Sequence, residues 1–252
     1  MRLGIVPYSN AKPLIAGLDC PIFEAPPSQL PSLAGPDDII LGPIVVAFED
    51  PSLYILEGAG IGSFGPVETV KLFFNKPMDV IPALCPCTGQ APAGIQFLQE
   101  IRSISLDGES KTSAALLKVL LNEKYKLSRG IRFLVKYQCD ASLLIGDKVW
   151  EQGDKPSLDL GQAWTEWTNL PFVYACWMTK NPDIGREWKP KLIALAKKNL
   201  GNLEKISNDP KLLKYWRRLC YELGPKQKEG IGLFQKYWAE IENKPILKLN
   251  WI

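Results

Sequence analysis

Phe172-Val173-Tyr174-Ala175-Cys176-Trp177-Met178 is an unbroken apolar run, the right length for a strand buried on both faces and too short for an ordinary helix. Ahead of it, strand and helix patterns alternate. From Pro182 onward the sequence carries only helical patterns. One earlier stretch is comparable, Val67 to Phe74, closed by Asn75-Lys76-Pro77. Such alternation marks an α/β fold, and the two apolar strands read as connections: the chain leaves a first lobe near residue 70 and returns near residue 176. The expected molecule has two lobes, residues 1–70 with 176–252 and residues 71–175, joined by two crossover strands around a central cleft.

Ligands of open α/β sheets gather at the carboxyl ends of strands, where helix N-termini also lie. Residues 2–6 read as a short buried strand, and Ser9-Asn10 turns into a helix opened by Pro13. Asp38 to Leu41 is a strand closed by Gly42-Pro43, and Leu53 to Leu56 is another; the glycine-rich stretch Gly58 to Pro66, holding Ser63, precedes the apolar strand Val67 to Phe74. Ile104 to Leu106 leads through Asp107 to Ser113 into an amphipathic helix over 114–122, with a further helix near Ala93 to Ile101. Strands follow at 131–137 and 140–145, the latter ending in Gly146-Asp147. Asn10, Ser63, Ser110, Lys111, Thr112, Ser113, Gly146 and Asp147 therefore fall at strand ends and helix starts. Hydroxyls and free N–H groups at a helix start make an anion site. The same residues also suit plain capping, which leaves Asn10, Ser110 to Ser113 and Asp147 each with two readings.

Bulk properties narrow the chemistry. The 252 residues are 46% apolar and 23% charged with a formal charge of +3, ordinary globular values without the basic field of a nucleic-acid protein. The first residues reach Pro7, Ser9 and Asn10 without an apolar leader, and no run is long enough to span a membrane, so the expected location is the cytoplasm. The chain has no histidine, which removes Ser-His-Asp triads, histidine bases and histidine zinc sites together. Its six cysteines are scattered, and Cys85-Pro86-Cys87 fits neither the usual zinc spacing nor the usual redox spacing. No dinucleotide fingerprint or ligand cluster implies a metal or organic cofactor, and oligomeric state is not written in the sequence.

Several segments, in order, resemble the chorismate dehydratases of menaquinone biosynthesis. Val6-Pro7-Tyr8-Ser9-Asn10-Ala11-Lys12-Pro13-Leu14 is similar to the family's opening motif, and Gly62-Ser63-Phe64-Gly65-Pro66-Val67-Glu68-Thr69-Val70 to its Ser-x-Gly-Pro-Val segment. Ser110-Lys111-Thr112-Ser113 resembles its Ser-Arg-Thr-Ser helix start. Asp140 to Asp147, Asp159-Leu160-Gly161, Trp164 and Leu170 to Val173 continue the likeness, as do Tyr221 to Gly224 and Glu229-Gly230. The departures are Pro7, Ser9, Lys111, Ile44-Val45-Val46 in place of a serine and a carboxylate, and a longer segment over 78–103.

The resemblance implies a type II periplasmic-binding-protein-like fold without a cofactor. It also implies loss of water from chorismate to give 3-[(1-carboxyvinyl)oxy]benzoate, on the futalosine route. Asn10 would orient the substrate and its leaving hydroxyl, while Ser63, Ser110, Lys111, Thr112, Ser113, Gly146 and Asp147 would bind the dicarboxylate. Two other readings share the architecture: a small-anion-binding protein and the sister enzyme 1,4-dihydroxy-6-naphthoate synthase.

Overall fold

The computed structural model describes residues 1–75, 98–127, 130–135 and 138–252. Among these the strands form two sheets. The first contains β1 (Leu3–Ile5), β2 (Ile22–Glu24), β3 (Ile39–Pro43), β4 (Tyr54–Ser63), β10 (Phe172–Thr179), β11 (Leu219–Cys220) and β12 (Asn250–Trp251), in the order β11-β4-β10-β3-β1-β2 with β12 beside β4. The second contains β5 (Val70–Phe74), β6 (Ser103–Leu106), β7 (Arg132–Val135), β8 (Ala141–Ile145) and β9 (Ser157–Asp159), in the order β7-β6-β8-β5-β9. The apolar run at 172–178 sits in the middle of the first sheet, antiparallel to both β3 and β4.

The chain passes between the sheets twice, through Phe64 to Thr69 after β4 and through residues 160–171 before β10. The two passages are tied to each other. Asp159 accepts from Val67 N at 3.1 Å and Glu68 N at 2.8 Å, and Gly65 N donates to Thr165 Oγ1 at 2.8 Å. Burial pushes the Asp159 carboxyl up despite these N–H donors.

The strand expected over Leu53 to Leu56 runs on through the glycine-rich stretch 58–62, the second half of the ten-residue β4. The reason is close approach. A Cβ at Gly62 would come 2.6 Å from the Phe172 carbonyl oxygen, and one at Gly60 2.9 Å from that of Ala175, so here glycine lets two backbones meet rather than turning the chain. Of the expected helix over 114–122, α4 (Lys111–Val119) starts three residues earlier and ends in a wider turn over Leu120–Lys124. Two short strands, β11 and β12, interrupt the C-terminal region expected to be helical, and β2 lies in the stretch expected as loop. The Cys85 and Cys87 segment and most of the helix expected near Ala93 to Ile101 lie outside the described residues, as does the end of the strand expected over 131–137.

The helices of the first sheet's layer are α1 (Lys12–Ile15), α2 (Leu30–Leu33), α3 (Ile44–Glu49), α6 (Pro182–Leu200), α7 (Pro210–Trp216) and α8 (Pro225–Ile241); α5 (Leu160–Thr168) lies on the return passage. Their starts follow capping rules. Asn181 accepts from Asp183 N and Ile184 N ahead of α6, Asp209 from Lys211 N ahead of α7, and proline occupies the first position of both. Phe48, Trp164, Phe172 and Phe234 form an aromatic core between α3, α5, β10 and α8, with ring centroids 4.8 to 6.0 Å apart. That core fixes β10, and hence one wall of the space between the sheets.

Candidate functional site

Residues at the carboxyl ends of β1, β3 and β8 and at the amino end of α4 border one cavity, whose space, counted together with the solvent it opens onto, is about 530 Å³. Val6, Pro43, Ile61, Val70 and Ile145 give it apolar surface, and Tyr8, Asn10, Thr69, Ser110, Thr112, Ser113 and Tyr174 give it polar groups.

Asn10 is the middle residue of a single 3-10 turn, Ser9–Ala11, between β1 and α1. The turn is held from outside. Trp216 Nε1 donates to Ser9 O at 2.9 Å and Tyr221 OH to Asn10 O at 2.9 Å. The Asn10 side chain caps nothing: α1 is preceded by Ala11 without a side-chain cap, and Asn10 Oδ1 is buried without a partner. Thr112 Oγ1, the other unpartnered polar atom of the wall, lies in the first turn of α4. An unmet buried polar group costs about 1–3 kcal/mol, and a hydrogen bond from a bound molecule to either atom would relieve it; Trp164 Nε1 and Trp177 Nε1, away from this cavity, are unpartnered as well.

Ser110 does cap. Its Oγ accepts from Ser113 N at 3.1 Å and donates to Ser113 Oγ at 2.8 Å. The N–H groups of Lys111 and Thr112, in the same first turn, fall outside the helical ladder by construction, and the helix end favours negative charge by about 0.3–1 kcal/mol.

The wall holds no carboxylate, lysine, arginine or thiol among the described residues. Its titratable groups are two phenols. Burial, reinforced by the hydrogen bond to Glu109, raises Tyr8, and burial raises Tyr174, whose hydroxyl meets Ser63 Oγ at 3.2 Å. Both stay protonated at neutral pH and act as neutral hydrogen-bonding groups.

Of the residues marked in the sequence, the structure brings Asn10, Ser110, Thr112, Ser113 and Gly146 together on the wall. Ser63 stands behind Tyr174. Lys111 points outward, half-exposed, 3.5 Å from Glu49. Asp147 lies outside the wall and accepts from Ser9 Oγ at 2.6 Å, bridging the two sides of the cleft without capping a helix. Gly146 has φ +67°, and a Cβ there would come 3.0 Å from the Tyr8 ring. Tyr8, Thr69 and Tyr174 are wall residues that sequence reasoning missed. For Tyr174 a signal existed, since tyrosine in a run otherwise free of polar atoms needs a partner for its hydroxyl.

The chain matches the model of the menaquinone biosynthesis family over residues 1–240. It belongs to that family. A chorismate dehydratase of Thermus thermophilus is 26% identical over 243 residues, covering 81% of this chain and 79% of its own. Among solved structures, protein AF1704 of Archaeoglobus fulgidus superimposes with a TM-score of 0.61 at 14% identity, over 96% of this chain and 97% of its own. The ligand-binding component of an ABC-type import system from Staphylococcus aureus, solved with zinc, gives 0.57 at 9% identity over 97% and 93%. PhnD1 of Prochlorococcus marinus, in complex with methylphosphonate, gives 0.50 at 13% identity over 97% and 98%. This member of the menaquinone biosynthesis family therefore has the two-lobed α/β fold of periplasmic substrate-binding proteins, and among the described residues no helix is long and apolar enough to cross a membrane.

Proposed function

We propose that this protein is a chorismate dehydratase, a carbon-oxygen lyase acting in the cytoplasm on the futalosine route to menaquinone. The observation that carries the reading is the cavity wall, which offers hydrogen bonds and a helix N-terminus but, among the described residues, no side chain able to serve as a base at neutral pH. Chorismate brings two carboxylates and needs little from the enzyme beyond orientation, because aromatisation of its ring drives the elimination.

In this mechanism the C3–H bond breaks and its electron pair forms the new ring double bond to C4. The C4–O bond breaks, and the departing oxygen leaves as water once it has received the proton. The side-chain carboxylate on the C3 ether, folded back over the ring, takes the C3 proton and hands it to the leaving oxygen. Intramolecular placement of this kind is worth roughly 7–11 kcal/mol when the geometry is good. Asn10 Oδ1 accepts from the C4 hydroxyl and holds it in place. The Thr112 and Ser113 hydroxyls and the first-turn N–H groups of α4 bind a carboxylate, each charge-assisted bond contributing about 1.5–3 kcal/mol.

The relative's name, the family and the unpartnered Asn10 and Thr112 atoms support the reading. The test is incubation of purified protein with chorismate, followed by chromatography and ultraviolet detection. The expected result is stoichiometric 3-[(1-carboxyvinyl)oxy]benzoate; folded protein that leaves chorismate untouched overturns the proposal, and conversion of a cyclised futalosine instead would point to the sister enzyme.

A further inference from the structure

We infer that Tyr174 sets the fit of the ligand at the β10 wall of the cavity, and that Ser63, marked in the sequence as a binding residue, is the positioning residue of that tyrosine. The strand itself aims Tyr174. On β10, Val173 pairs with Gly62 and Ala175 with Ile61, so two residues of β10 pass one step of β4 and Tyr174 is the extra residue of a bulge. In a regular strand, neighbours point to opposite faces. Here Tyr174 and Ala175 both border the cavity.

A phenol in this position has to be held back. The side chains of Val6, Pro43, Ile61, Val67 and Ala175 on the same wall offer its hydroxyl no partner, and a buried hydroxyl left unpaired is costly enough to turn toward any polar group in reach, here across the space the ligand needs. Ser63 removes that pull. Its Oγ lies 3.2 Å from the Tyr174 hydroxyl, and among the described residues each of the two has only the other as its hydrogen-bond partner. Ser63 is fully buried and outside the cavity wall, so it acts on a ligand through the phenol. Gly161, in the first turn of α5, makes room for the pair, since a Cβ there would come 2.7 Å from both oxygens. Phe172 braces the ring, with centroids 4.8 Å apart. A second wall hydroxyl is tied in the same way: Thr69 Oγ1 lies 2.6 Å from the hydroxyl of Tyr215, a residue outside the wall.

The identity of the ligand in this inference rests on the proposed function; the order of action, serine through tyrosine, does not. The test is a cycle of Ser63→Ala, Tyr174→Phe and the double variant, read by calorimetric binding of 3-[(1-carboxyvinyl)oxy]benzoate, which has no further water to lose from its ring. Ser63→Ala leaves the phenol without its partner and is expected to raise Kd about five-fold. Tyr174→Phe removes the hydroxyl that has to be held, so adding it to Ser63→Ala should restore Kd to within about two-fold of Tyr174→Phe alone. A direct contact between Ser63 and the ligand would make the loss persist in the double variant, and that result overturns the inference. So does a Ser63→Ala protein that binds as wild type does. Conversion of chorismate by wild type is measured alongside: protein that binds the benzoate but leaves chorismate untouched overturns the reaction and leaves the cycle to decide the inference, whereas protein that binds neither overturns both. Should Ser63→Ala fail to fold, Ser63→Cys keeps a similar shape with only a weak hydrogen-bonding group, and the same rescue by Tyr174→Phe is expected of it.

Discussion

Gly146 shows how a single residue without a side chain shapes the site. Its φ of +67° lies in the left-handed region, and a Cβ would meet the Tyr8 ring at 3.0 to 3.4 Å. Gly146→Ala should cost about 1–2 kcal/mol from the backbone alone, seen as a lower melting temperature, and should weaken ligand binding further by pushing Tyr8 away from Glu109. Equal losses in stability and binding would mean that the Tyr8 contact contributes nothing beyond the backbone. Asn10 gives the complementary case. Asn10→Asp keeps the shape but sets a negative charge beside a dianionic ligand. The expected variant is folded, melts close to wild type and has lost conversion of chorismate. Near wild-type turnover in that variant would remove the Asn10 amide from the mechanism.

Elements explain both what the sequence revealed and what it hid. The first strand, β3, the helix start at Ser110 and the run at 172–178 were legible because each carries its own signal: an apolar run, a cap or a break. β2, β9, β11 and β12 are two or three residues long, and their pairing depends on the neighbour rather than on their own pattern. Only the first part of β4 was legible, because the glycines of its second half answer to the carbonyls of Phe172 and Ala175, which no local reading can see. For the site the same division holds. Asn10 and Ser110 to Ser113 sit at punctuation marks, whereas Thr69, Tyr174 and Tyr215 lie within apolar patterns and become polar partners only after folding. Strand entry also makes a pH prediction. Asp38 joins β1 to β3 by accepting from Arg2 N at 2.8 Å, Gly35 N at 2.9 Å and the Arg2 guanidinium at 2.6 Å. Burial works against its charge, but these donors outweigh it and hold its carboxyl below the usual value. A carboxyl lowered in the folded state contributes stability above its unfolded value, near pH 3.9, and loses it as pH falls through the folded value. Asp38→Asn should therefore show a shallower loss of stability than wild type below about pH 4, measured by urea unfolding across pH; parallel curves would exclude Asp38 as a contributor.

At the scale of the whole molecule, the two sheets are bridged at the cavity by contacts that a hinged protein would make only when closed. Tyr8 OH donates to Glu109 Oε2 at 2.7 Å, Ser9 Oγ to Asp147 Oδ1 at 2.6 Å, and the Trp150 ring meets Tyr215. We propose that the lobes divide as the sheets do and swing about the tied passages at 64–69 and 160–171, where Gly65 at φ +101° and Glu68 at φ +65° already hold unusual backbone. Asp147 then acts on binding through closure, since it lies outside the wall. When only a fraction of molecules is binding-competent, the apparent dissociation constant rises by the inverse of that fraction. Asp147 is exposed, which screens its bond to Ser9, so Asp147→Ala should raise KM by about two- to five-fold and change kcat less. Small-angle scattering should show the unliganded variant larger than unliganded wild type, the two converging at saturating ligand. A variant with normal dimensions, unchanged KM and a collapsed kcat would place Asp147 at the reacting atoms instead, and the closure argument would fail.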